Sequence, residues 1–483
     1  MRLHPIDESV RPSHVDELSR ALEQHRAAFL ADPFPSATTR RDNLLRFELA
    51  LKARRTEFVE AISADFGYRS HYETDLVEVL TSVRSLSHAR TRTRAWMRGR
   101  SHPVFWPLNP ASASTHFQPL GVVGVISPWN YPLYLAIAPI AAALAAGNRV
   151  MLKPSELTPM FSDLLKTVVE EVFPDGLVTV HVGGPGVAQT FSGLRFDHLL
   201  FTGSTNVGRL VHQAAARHLV PVTLELGGKS PTVIDRGCNL RAAAVAVTTG
   251  KLTNAGQTCV APDYVFVHED DKDRFVTLLQ DAATELYPSL ETNPDLASII
   301  SPRHHARLKE MCAEVEREGG RAVIVNEPSE FSECHGRRMA LTLLLDAPEH
   351  CAALKEEIFG PVLPILTYRT HDEVIAKINA KDRPLSLYVF TDDGRVEDLY
   401  KARTCSGSLV FNTTLVQLGV DELPFGGVGA SGMGAYHGET GFRTFSHARA
   451  IYKQYRPNAV HLVQRPPFGA LGRWVLDKIL IGR

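Results

Sequence analysis

Hydrophobic and polar positions follow two different patterns along the chain. In the first hundred residues, apolar side chains recur every three or four positions over 15–30 and 38–66, which predicts helices with one buried face. This pattern stops at 101–118, where prolines stand among aromatic residues. Because proline neither continues a helix nor donates to a central strand, we expect an extended excursion or an irregular hairpin there.

From residue 121 the chain changes to short apolar runs separated by segments that suit helices. The first runs predict strands at 122–126, 149–152, 178–182, 198–201 and 222–226. Connections of this length favour parallel strands joined by right-handed crossovers. The pattern therefore predicts a five-stranded parallel sheet of the kind that binds nucleotides.

A second region with the same alternation follows over about 230–412. Its apolar runs predict further strands at 264–267, 322–325, 342–345, 362–368, 387–390 and 408–411. Amphipathic segments such as 303–318 lie between them and predict helices. The fold class is therefore α/β, with a second α/β layer after the nucleotide-binding sheet.

The composition narrows the class of protein. The chain has 483 residues, a formal net charge of −1, 44% hydrophobic residues and six cysteines. This length suggests two or three domains, at roughly 150 residues each. The net charge near zero argues against a nucleic-acid partner. The ordinary apolar content argues against disorder, and the small number of cysteines argues against a disulfide scaffold. An enzyme that acts on a small molecule fits best.

The sequence shows neither the pattern of an export signal at the N-terminus nor an apolar stretch long enough to span a membrane. Asp7 and Glu8 interrupt the N-terminus, and the apolar stretch 133–146 falls short of the ~20 residues that a bilayer requires. We therefore expect a cytoplasmic enzyme with free thiols. The tail at 465–483 suits either an interfacial membrane helix or packing on the protein. We favour packing, because the helix would have only about three turns.

A turn between a predicted strand and a predicted helix is a candidate phosphate site. In the segment 201–208, FTGSTNVG, Gly203 allows a tight turn, Ser204 can cap the helix and Gly208 closes the motif. The free N–H groups at a helix start attract phosphate. An ordinary capped helix explains the same residues, and the motif taken alone favours that explanation.

A second candidate follows another predicted strand, at Lys153-Pro154-Ser155-Glu156. Glu156 can accept hydrogen bonds from ribose hydroxyls, and Lys153 can reach a hydroxyl or a phosphate. Ligands of open parallel sheets bind beyond the carboxyl ends of the strands, where this segment lies. A surface salt bridge at a helix start is the alternative. Two strand-end sites of complementary chemistry in one sheet strengthen each other.

A glutamate and a cysteine are candidates for catalysis. Glu225 lies inside an apolar run that predicts a buried strand, and burial raises a carboxyl pKa toward the range of a general base. A Glu225 paired with Lys229 or with an arginine explains the run equally well. Cys259 stands between small residues in a loop over 254–260, but buried cysteines usually act as small hydrophobes. The glycine-rich segment 423–434 suits a loop that lines a pocket or a subunit contact.

Together these segments resemble the motifs of aldehyde dehydrogenases, in the order found in that family. The matching segments are PWNYP at 128–132, KPSE at 153–156, FTGS at 201–204, LELGGK at 224–229, GQTC at 256–259, EEIFGP at 356–361 and PFGG at 424–427. The short N-terminus and the surroundings of Tyr131 and His437 resemble the class 3 branch. The segment 65–70 resembles the bacterial coniferyl aldehyde dehydrogenases within that branch.

The resemblance implies oxidation of an aldehyde to a carboxylic acid. Cys259 would attack the aldehyde to form a thiohemiacetal, which hydride transfer converts to a thioester. The Asn130 amide and the Cys259 backbone N–H would hold the oxyanion, and Glu225 would activate the water that hydrolyses the thioester. A thiol esterase that uses the same cysteine and glutamate is the second hypothesis, and a non-catalytic protein of this fold is the third.

The resemblance also implies a nicotinamide dinucleotide cofactor and no metal. The residues it assigns are Lys153 and Glu156 at the adenosine ribose, Gly203, Ser204 and Gly208 in the pyrophosphate motif, Glu357 at the nicotinamide ribose, Phe359 against the ring region and Trp129 in the cleft wall. Glu156 would repel a 2′-phosphate, which favours NAD. Lys153 could pair with that phosphate, so NADP is the second choice.

The family fold implies a division of the chain. The implied parts are a cofactor-binding domain over 1–100 and 119–228, a catalytic domain over 229–412, a small β oligomerisation element over 101–118 and 413–450, and a tail over 451–483. A homodimer is expected. Tyr68, Tyr131, Tyr134 and Phe411 are candidates for an aromatic funnel, and hence for an aromatic substrate such as coniferyl aldehyde. Ordinary core packing is the alternative, and it is favoured for each of them taken singly. A medium- or long-chain aliphatic aldehyde is the alternative.

Overall fold

The computed structural model describes residues 12–290, 293–326, 337–456, 460 and 464–481. Asp7 and Glu8, which interrupt the N-terminus, and Cys334, one of the six cysteines, lie outside the described residues. The helices are α1 Pro12–Ala31, α2 Ala37–Ala53, α3 Arg55–Phe66, α4 His71–Thr74, α5 Leu80–Trp96, α6 Tyr134–Ala146, α7 Pro159–Val172, α8 Pro185–Ser192, α9 Thr205–Ala216, α10 Leu240–Leu252, α11 Lys272–Leu286, α12 Pro302–Arg317, α13 Ala352–Lys355, α14 His371–Asn379, α15 Gly394–Arg403, α16 Gly438–Thr444 and α17 Ala470–Leu480.

The strands form three sheets. They are β1 Arg100–His102, β2 Ala111–Pro119, β3 Val122–Ile126, β4 Arg149–Lys153, β5 Val178–Val180, β6 His198–Gly203, β7 Val222–Leu226, β8 Pro231–Ile234, β9 Tyr264–His268, β10 Arg321–Ile324, β11 Thr342–Leu345, β12 Val362–Tyr368, β13 Ser386–Phe390, β14 Ser408–Phe411, β15 Gly432–Met433 and β16 Ser446–Gln454.

The N-terminal helices differ from the sequence pattern in one place. The helical region predicted over 38–66 is divided into α2 and α3 at Arg54, whose backbone (φ −100°, ψ 16°) leaves the helical range. Ser36 caps the start of α2 by accepting a hydrogen bond from Thr39 N, and Gly67 ends α3 in the left-handed region at φ 75°. A π-helical turn, Asp75–Val79, joins α4 to α5.

The first sheet contains the five predicted parallel strands in the order β7-β6-β3-β4-β5. The prediction of a five-stranded parallel sheet is confirmed, and the structure adds the short antiparallel strand β15 beside β7. This addition was missed because it is only two residues of a glycine-rich segment. Strands β7, β6 and β3 are neighbours, so the residues that follow their carboxyl ends converge on one edge of the sheet.

The second sheet has the order β10-β11-β12-β9-β8-β13-β14, in which β10 alone is antiparallel to its neighbour. The predicted α/β layer is thus present. Strand β8 was missed at the sequence level, although it is fully buried near the middle of the sheet. Its four residues begin with a proline directly after Gly-Gly-Lys-Ser, so turn signals obscured the apolar run.

The third sheet joins distant parts of the chain. Strand β2 lies between β1 and β16, and β16 pairs with β2 from Ser446 opposite Pro119 to Gln454 opposite Ala111. The predicted excursion at 101–118 is therefore a hairpin completed by a C-terminal strand, which continues past residue 450. Helix α17 follows with Trp474 and Leu480 exposed. No helix in the described ranges is both long and apolar enough to cross a bilayer.

Candidate active site

A cleft at the carboxyl edge of the first sheet collects most of the predicted site residues. It encloses about 900 Å³ of empty space, counting its open mouth. The predicted residues in its wall are Trp129, Asn130, Gly203, Ser204, Glu225, Cys259, Glu357 and Phe359. They come from both sheets, because the segment with Cys259 lies between α10 and β9 of the second sheet.

The loop that carries Cys259 has an unusual backbone. Asn254, Ala255 and Gly256 are all in the left-handed region, with φ of 50°, 51° and 75°. A Cβ at Gly256 would overlap with the carbonyl oxygen of Gly360. Such conformations persist only where the surroundings determine them strongly, and they cluster at functional sites.

Buried hydrogen bonds hold this loop in place. Gln257 is fully buried and donates through Nε2 to the carbonyl oxygens of Asn254 (3.0 Å) and Ser298 (3.1 Å), while its Oε1 accepts from Ile300 N at 2.9 Å. Next to it, the hydroxyls of Thr258 and Tyr131 lie 2.6 Å apart. The position of Cys259 is therefore fixed by the contacts of Gln257 and Thr258 with other segments of the chain.

Asn130 is attached to the same loop. Its Nδ2 donates to the Gln257 carbonyl oxygen at 3.1 Å, and its own backbone carbonyl accepts from Asn254 Nδ2 at 2.9 Å. One N–H of the Asn130 amide is thus engaged in the described structure, and the amide has a second N–H for a ligand in the cleft.

The Cys259 thiol is partly exposed in the cleft wall. Burial, and then the nearby carboxylates of Glu357 and Glu225, raise the pKa of this thiol above its usual range. Burial also raises the pKa of Cys238 and of Cys312 to about 12. Cys259 is therefore distinguished by its place in the cleft and not by its acidity. A base or a bound ligand must promote its ionisation.

Glu225 faces the cleft from β7 and has no hydrogen-bond partner for either carboxylate oxygen among the described residues. It is 2% exposed, and burial raises its pKa well above the usual range. The alternative pairing with Lys229 is wrong, because Lys229 Nζ bonds Asp263 at 2.5 Å. A buried carboxyl group without a partner is suited to accept a proton from a ligand or a water.

Glu357 lies across the cleft from the first sheet. Its Oε1 accepts from Gly228 N at 3.1 Å, and a Cβ at Gly227 would overlap with its carboxylate. Burial, and then the Asp263 carboxylate, raise the pKa of Glu357 to about 8. The close approach explains why residue 227 is a glycine. Nearby, the Phe359 and Trp129 rings pack edge to face at 5.4 Å.

Three predicted cofactor residues do not line the cleft. Lys153 and Glu156 bond each other at 3.1 Å, with the Lys153 side chain buried and that of Glu156 42% exposed. Gly208 is buried in α9, where a Cβ would overlap with Leu226, so it allows the helix to pack on β7. Ser204 combines both roles, since it lines the cleft and caps α9 by accepting from Val207 N at 3.4 Å.

Among the cleft residues that sequence reasoning missed, two carry ionisable side chains, His304 and Arg307. His304 lies 5.3 Å from the Trp129 ring, and Arg307 donates to the Glu357 carbonyl oxygen at 3.2 Å. Both lie in the first two turns of α12, where Ser301 caps the helix. Their helical spacing alone predicts a solvated face, so only tertiary contact reveals them.

The structure gives each residue of the proposed aromatic funnel a structural partner. None of its four members is in the cleft wall described above. The Tyr68 hydroxyl donates to Pro294 O at 2.7 Å, Tyr131 pairs with Thr258, and the Tyr134 hydroxyl lies 3.0 Å from His437 Nε2. Phe411 lies 5.3 Å from the Lys401 ammonium. Their polar groups and faces are engaged in structural contacts.

Comparison with known proteins decides the family. The model of the aldehyde dehydrogenase family matches residues 8–451. The chain belongs to the aldehyde dehydrogenase family. It is 44% identical over 462 residues to a probable coniferyl aldehyde dehydrogenase of Caulobacter vibrioides, covering 95% of each chain. It is 38% identical to aldehyde dehydrogenase family 3 member B1 of Rattus norvegicus, over 94% of this chain and 95% of the other.

A solved structure agrees with this assignment. The substrate-bound aldehyde dehydrogenase AldH of Staphylococcus aureus matches with a TM-score of 0.90 and 36% identity, over 95% of this chain and 99% of that one. The predicted fold and the class 3 resemblance are confirmed, and this aldehyde dehydrogenase oxidises aldehydes. Similar solved structures include an NAD-dependent aldehyde dehydrogenase of Sinorhizobium meliloti, at 29% identity and a TM-score of 0.84, and an NADP-dependent enzyme of E. coli, at 25% identity and a TM-score of 0.83.

The residues present fit such a cofactor. The cleft runs from the capped start of α9 at Ser204 to Cys259, which joins a helix N-terminus suited to phosphate with the reactive thiol. Gly227 leaves space that a side chain would fill beside the Glu357 carboxylate. That carboxylate has one oxygen without a hydrogen bond to the described residues, which leaves it free for a hydroxyl.

Proposed function

We propose that this aldehyde dehydrogenase oxidises an aromatic aldehyde of the coniferyl type to its carboxylic acid, with NAD as the preferred cofactor. The observation that carries the mechanism is the meeting of Asn130, Glu225 and Cys259 in one cleft. The name of the Caulobacter relative supports the aromatic substrate, at 44% identity over nearly the whole chain.

In the first step the Cys259 thiolate attacks the aldehyde carbon, and the carbonyl electron pair moves to oxygen. The free N–H of the Asn130 amide and the Cys259 backbone N–H stabilise this oxyanion. One such donor typically contributes about 3 kcal/mol in the transition state. The hydrogen bonds of Asn130 and Gln257 hold both groups before substrate binds, so little reorganisation is needed.

When bound, the nicotinamide cofactor supplies the hydride acceptor that converts the thiohemiacetal to a thioester. Glu357 would bind its ribose, with Phe359 and Trp129 beside the ring region and Gly203 and Ser204 at the pyrophosphate. Lys153 and Glu156 would hold the adenosine ribose. Because Lys153 already bonds Glu156, a 2′-phosphate would meet a carboxylate with its counter-ion engaged, which favours NAD.

Glu225 completes the reaction. Its unpartnered carboxylate takes a proton from the attacking water, the water oxygen bonds to the thioester carbon, and the Cys259 thiolate leaves. The product is the carboxylic acid. Since Glu225 is buried and its pKa is raised, it can act as a base near neutral pH.

The domain division and homodimer are part of the proposal. The third sheet presents β16 as an edge strand with Tyr452 52% exposed, and an exposed strand of nine residues is a typical site of pairing with another chain. We place the subunit contact there, in the element formed by 101–118 and the segment after 413.

The deciding experiment compares Cys259→Ala with Cys312→Ala. We expect Cys259→Ala to lose at least about 1,000-fold in aldehyde-dependent NAD reduction, because the nucleophile is removed. Cys312, in α12 and outside the cleft wall, is the matched control and should retain full activity. Normal turnover by Cys259→Ala would reject the nucleophile assignment.

The same assay with coniferyl aldehyde, benzaldehyde and a long aliphatic aldehyde tests the substrate. A higher kcat/KM on the aliphatic compound would reject the aromatic preference. Ester cleavage without any aldehyde oxidation would favour the thiol esterase instead.

A further inference from the structure

A fully buried ion pair contacts the segment 130–134, which contains Asn130, and lies outside the cleft wall. Arg69 and Glu78 are both 0% exposed, and Arg69 Nη1 bonds Glu78 Oε1 at 2.6 Å. Glu73 adds a second carboxylate, 3.5 Å from Arg69 Nε. The Phe66 and Tyr131 rings lie 5.2 and 4.9 Å from the guanidinium carbon, so the charge is enclosed by aromatic faces.

A π-helical turn in the backbone places Glu78 at this position. Glu78 belongs to the π-helical turn Asp75–Val79 between α4 and α5. Such a turn inserts one residue and shifts the register of everything after it, and π turns occur frequently at functional sites. The sequence segment that contains Arg69, at 65–70, is the one that resembles the coniferyl branch of the family.

The pair contacts both ends of the segment 130–134. Arg69 Nη1 donates to the Asn130 carbonyl oxygen at 3.1 Å. Glu78 Oε2 accepts from Leu133 N (2.8 Å) and Tyr134 N (3.1 Å), at the start of α6, where a negative charge also meets the helix dipole. The Asn130 carbonyl is the acceptor that Asn254 of the Cys259 loop also uses. One buried pair thus fixes the segment between strand β3 and α6 relative to the nucleophile loop.

A contribution to folding stability does not explain why this ion pair is buried. Burying two charges costs several kcal/mol of solvation, and replacing a buried pair by apolar residues of similar volume is often neutral or stabilising. Arg69 Nη2 has no hydrogen-bond partner within the described structure, so the pair is not fully compensated. An error of about 1 Å in a reacting group, in contrast, can reduce the rate about 100-fold.

We propose that Arg69 and Glu78 are positioning residues for the Asn130 amide: the pair holds the backbone of 130–134 so that the amide meets the developing oxyanion. The inference rests on the proposed function, because it assumes that Asn130 stabilises that oxyanion. Neither residue lines the cleft wall.

The test is the variant Arg69→Met/Glu78→Leu, which removes both charges together. We expect it to fold, to bind NAD with unchanged Kd and to react normally with iodoacetamide at Cys259, a reaction that forms no oxyanion. The pre-steady-state rate of acylation by aldehyde should fall about 10- to 100-fold. The matched control is Arg90→Met/Glu48→Leu, which removes an ion pair of 3.1 Å between α5 and α2 and should retain the acylation rate.

Repeating both variants in an Asn130→Ala background separates positioning from general damage. If the pair acts through Asn130, removing it there should reduce acylation by no more than about twofold. A loss as large as in the wild-type background, or no loss in either background, would overturn the inference. If Asn130→Ala itself acylates normally, the oxyanion assignment fails and the inference fails with it.

A second variant guards against misfolding. If the double variant does not fold, Glu78→Gln retains the shape and an acceptor for Leu133 N and Tyr134 N while it removes the charge. It should show a smaller loss in acylation that disappears in the Asn130→Ala background, and a loss that persists there would equally overturn the proposal.

Discussion

The catalytic end of the cleft differs from the proposed adenosine end, which Lys153 and Glu156 form outside the cleft wall. At the catalytic end, Asn130, Gln257 and Glu225 are at most 3% exposed, and the first two are tied to backbone groups of neighbouring segments. At the adenosine end, Glu156 is 42% exposed and its side chain bonds only Lys153 among the described residues. Several buried hydrogen bonds fix the geometry of the catalytic end, whereas a single ion pair holds the adenosine end.

This difference shows where precision matters. Buried polar groups are costly to leave unpaired, so a network at the catalytic end specifies one geometry. In the Lys153–Glu156 pair the lysine is buried but the glutamate is 42% exposed, so the Glu156 side chain can rearrange around a ligand. Chemistry at Cys259 should therefore be sensitive to small changes, and the choice between NAD and NADP should be easy to shift.

The largest effect at the catalytic end is expected for Glu225→Gln. The amide keeps the shape but cannot accept a proton, so hydrolysis of the thioester should fall by about 10² to 10⁴. Acyl-enzyme should then accumulate, and mass spectrometry of the quenched enzyme should show the acyl group on Cys259.

The pH dependence gives a second readout of the same variant. The pKa of Glu225 is raised by burial, and the base acts only when deprotonated, so deacylation by the wild type should increase with pH through that raised pKa. The Gln variant should show no such increase. An equally steep profile in both proteins would assign the base to another group.

An intermediate effect is expected for Gln257→Leu. The apolar side chain leaves Ile300 N and the carbonyl oxygens of Asn254 and Ser298 without their partner, at about 1–3 kcal/mol for each buried group. Urea unfolding should show a loss of roughly 3 kcal/mol or more. Gln189→Leu, at an exposed position in α8, is the control and should change stability by less than about 0.5 kcal/mol. Equal stability of the two variants would show that the loop is not held by Gln257.

The same contrast explains what the sequence could predict. The five parallel strands followed from apolar runs, because each run is buried on both faces of its sheet. Cys259 and Glu225 were identified through ordered motifs, whereas the residues alone left a pairing of Glu225 with Lys229 equally good. Only the structure shows that Lys229 is engaged by Asp263.

Features that depend on contact between distant segments were not predictable. His304 and Arg307 reach the cleft because α12 packs beside the Glu357 segment, and their local sequence carries no sign of it. The four residues of the proposed aromatic funnel are not in the described cleft wall for the same reason, since each contacts a separate partner. Spacing predicts which face of an element is buried and does not predict what lies opposite.

The smallest effect is expected for Glu156→Gln, at the adenosine end. Loss of a half-exposed charge should weaken the repulsion of a 2′-phosphate by about 1 kcal/mol, so the ratio of kcat/KM for NADP to that for NAD should rise about fivefold. The control is Glu170→Gln, which removes a comparable exposed partner of Lys166 on α7 and should leave the ratio unchanged. An unchanged ratio in Glu156→Gln would remove Glu156 from cofactor selection. A change above about 100-fold would exceed what an exposed pair can contribute and would show that bound cofactor buries the adenosine end as tightly as the catalytic end.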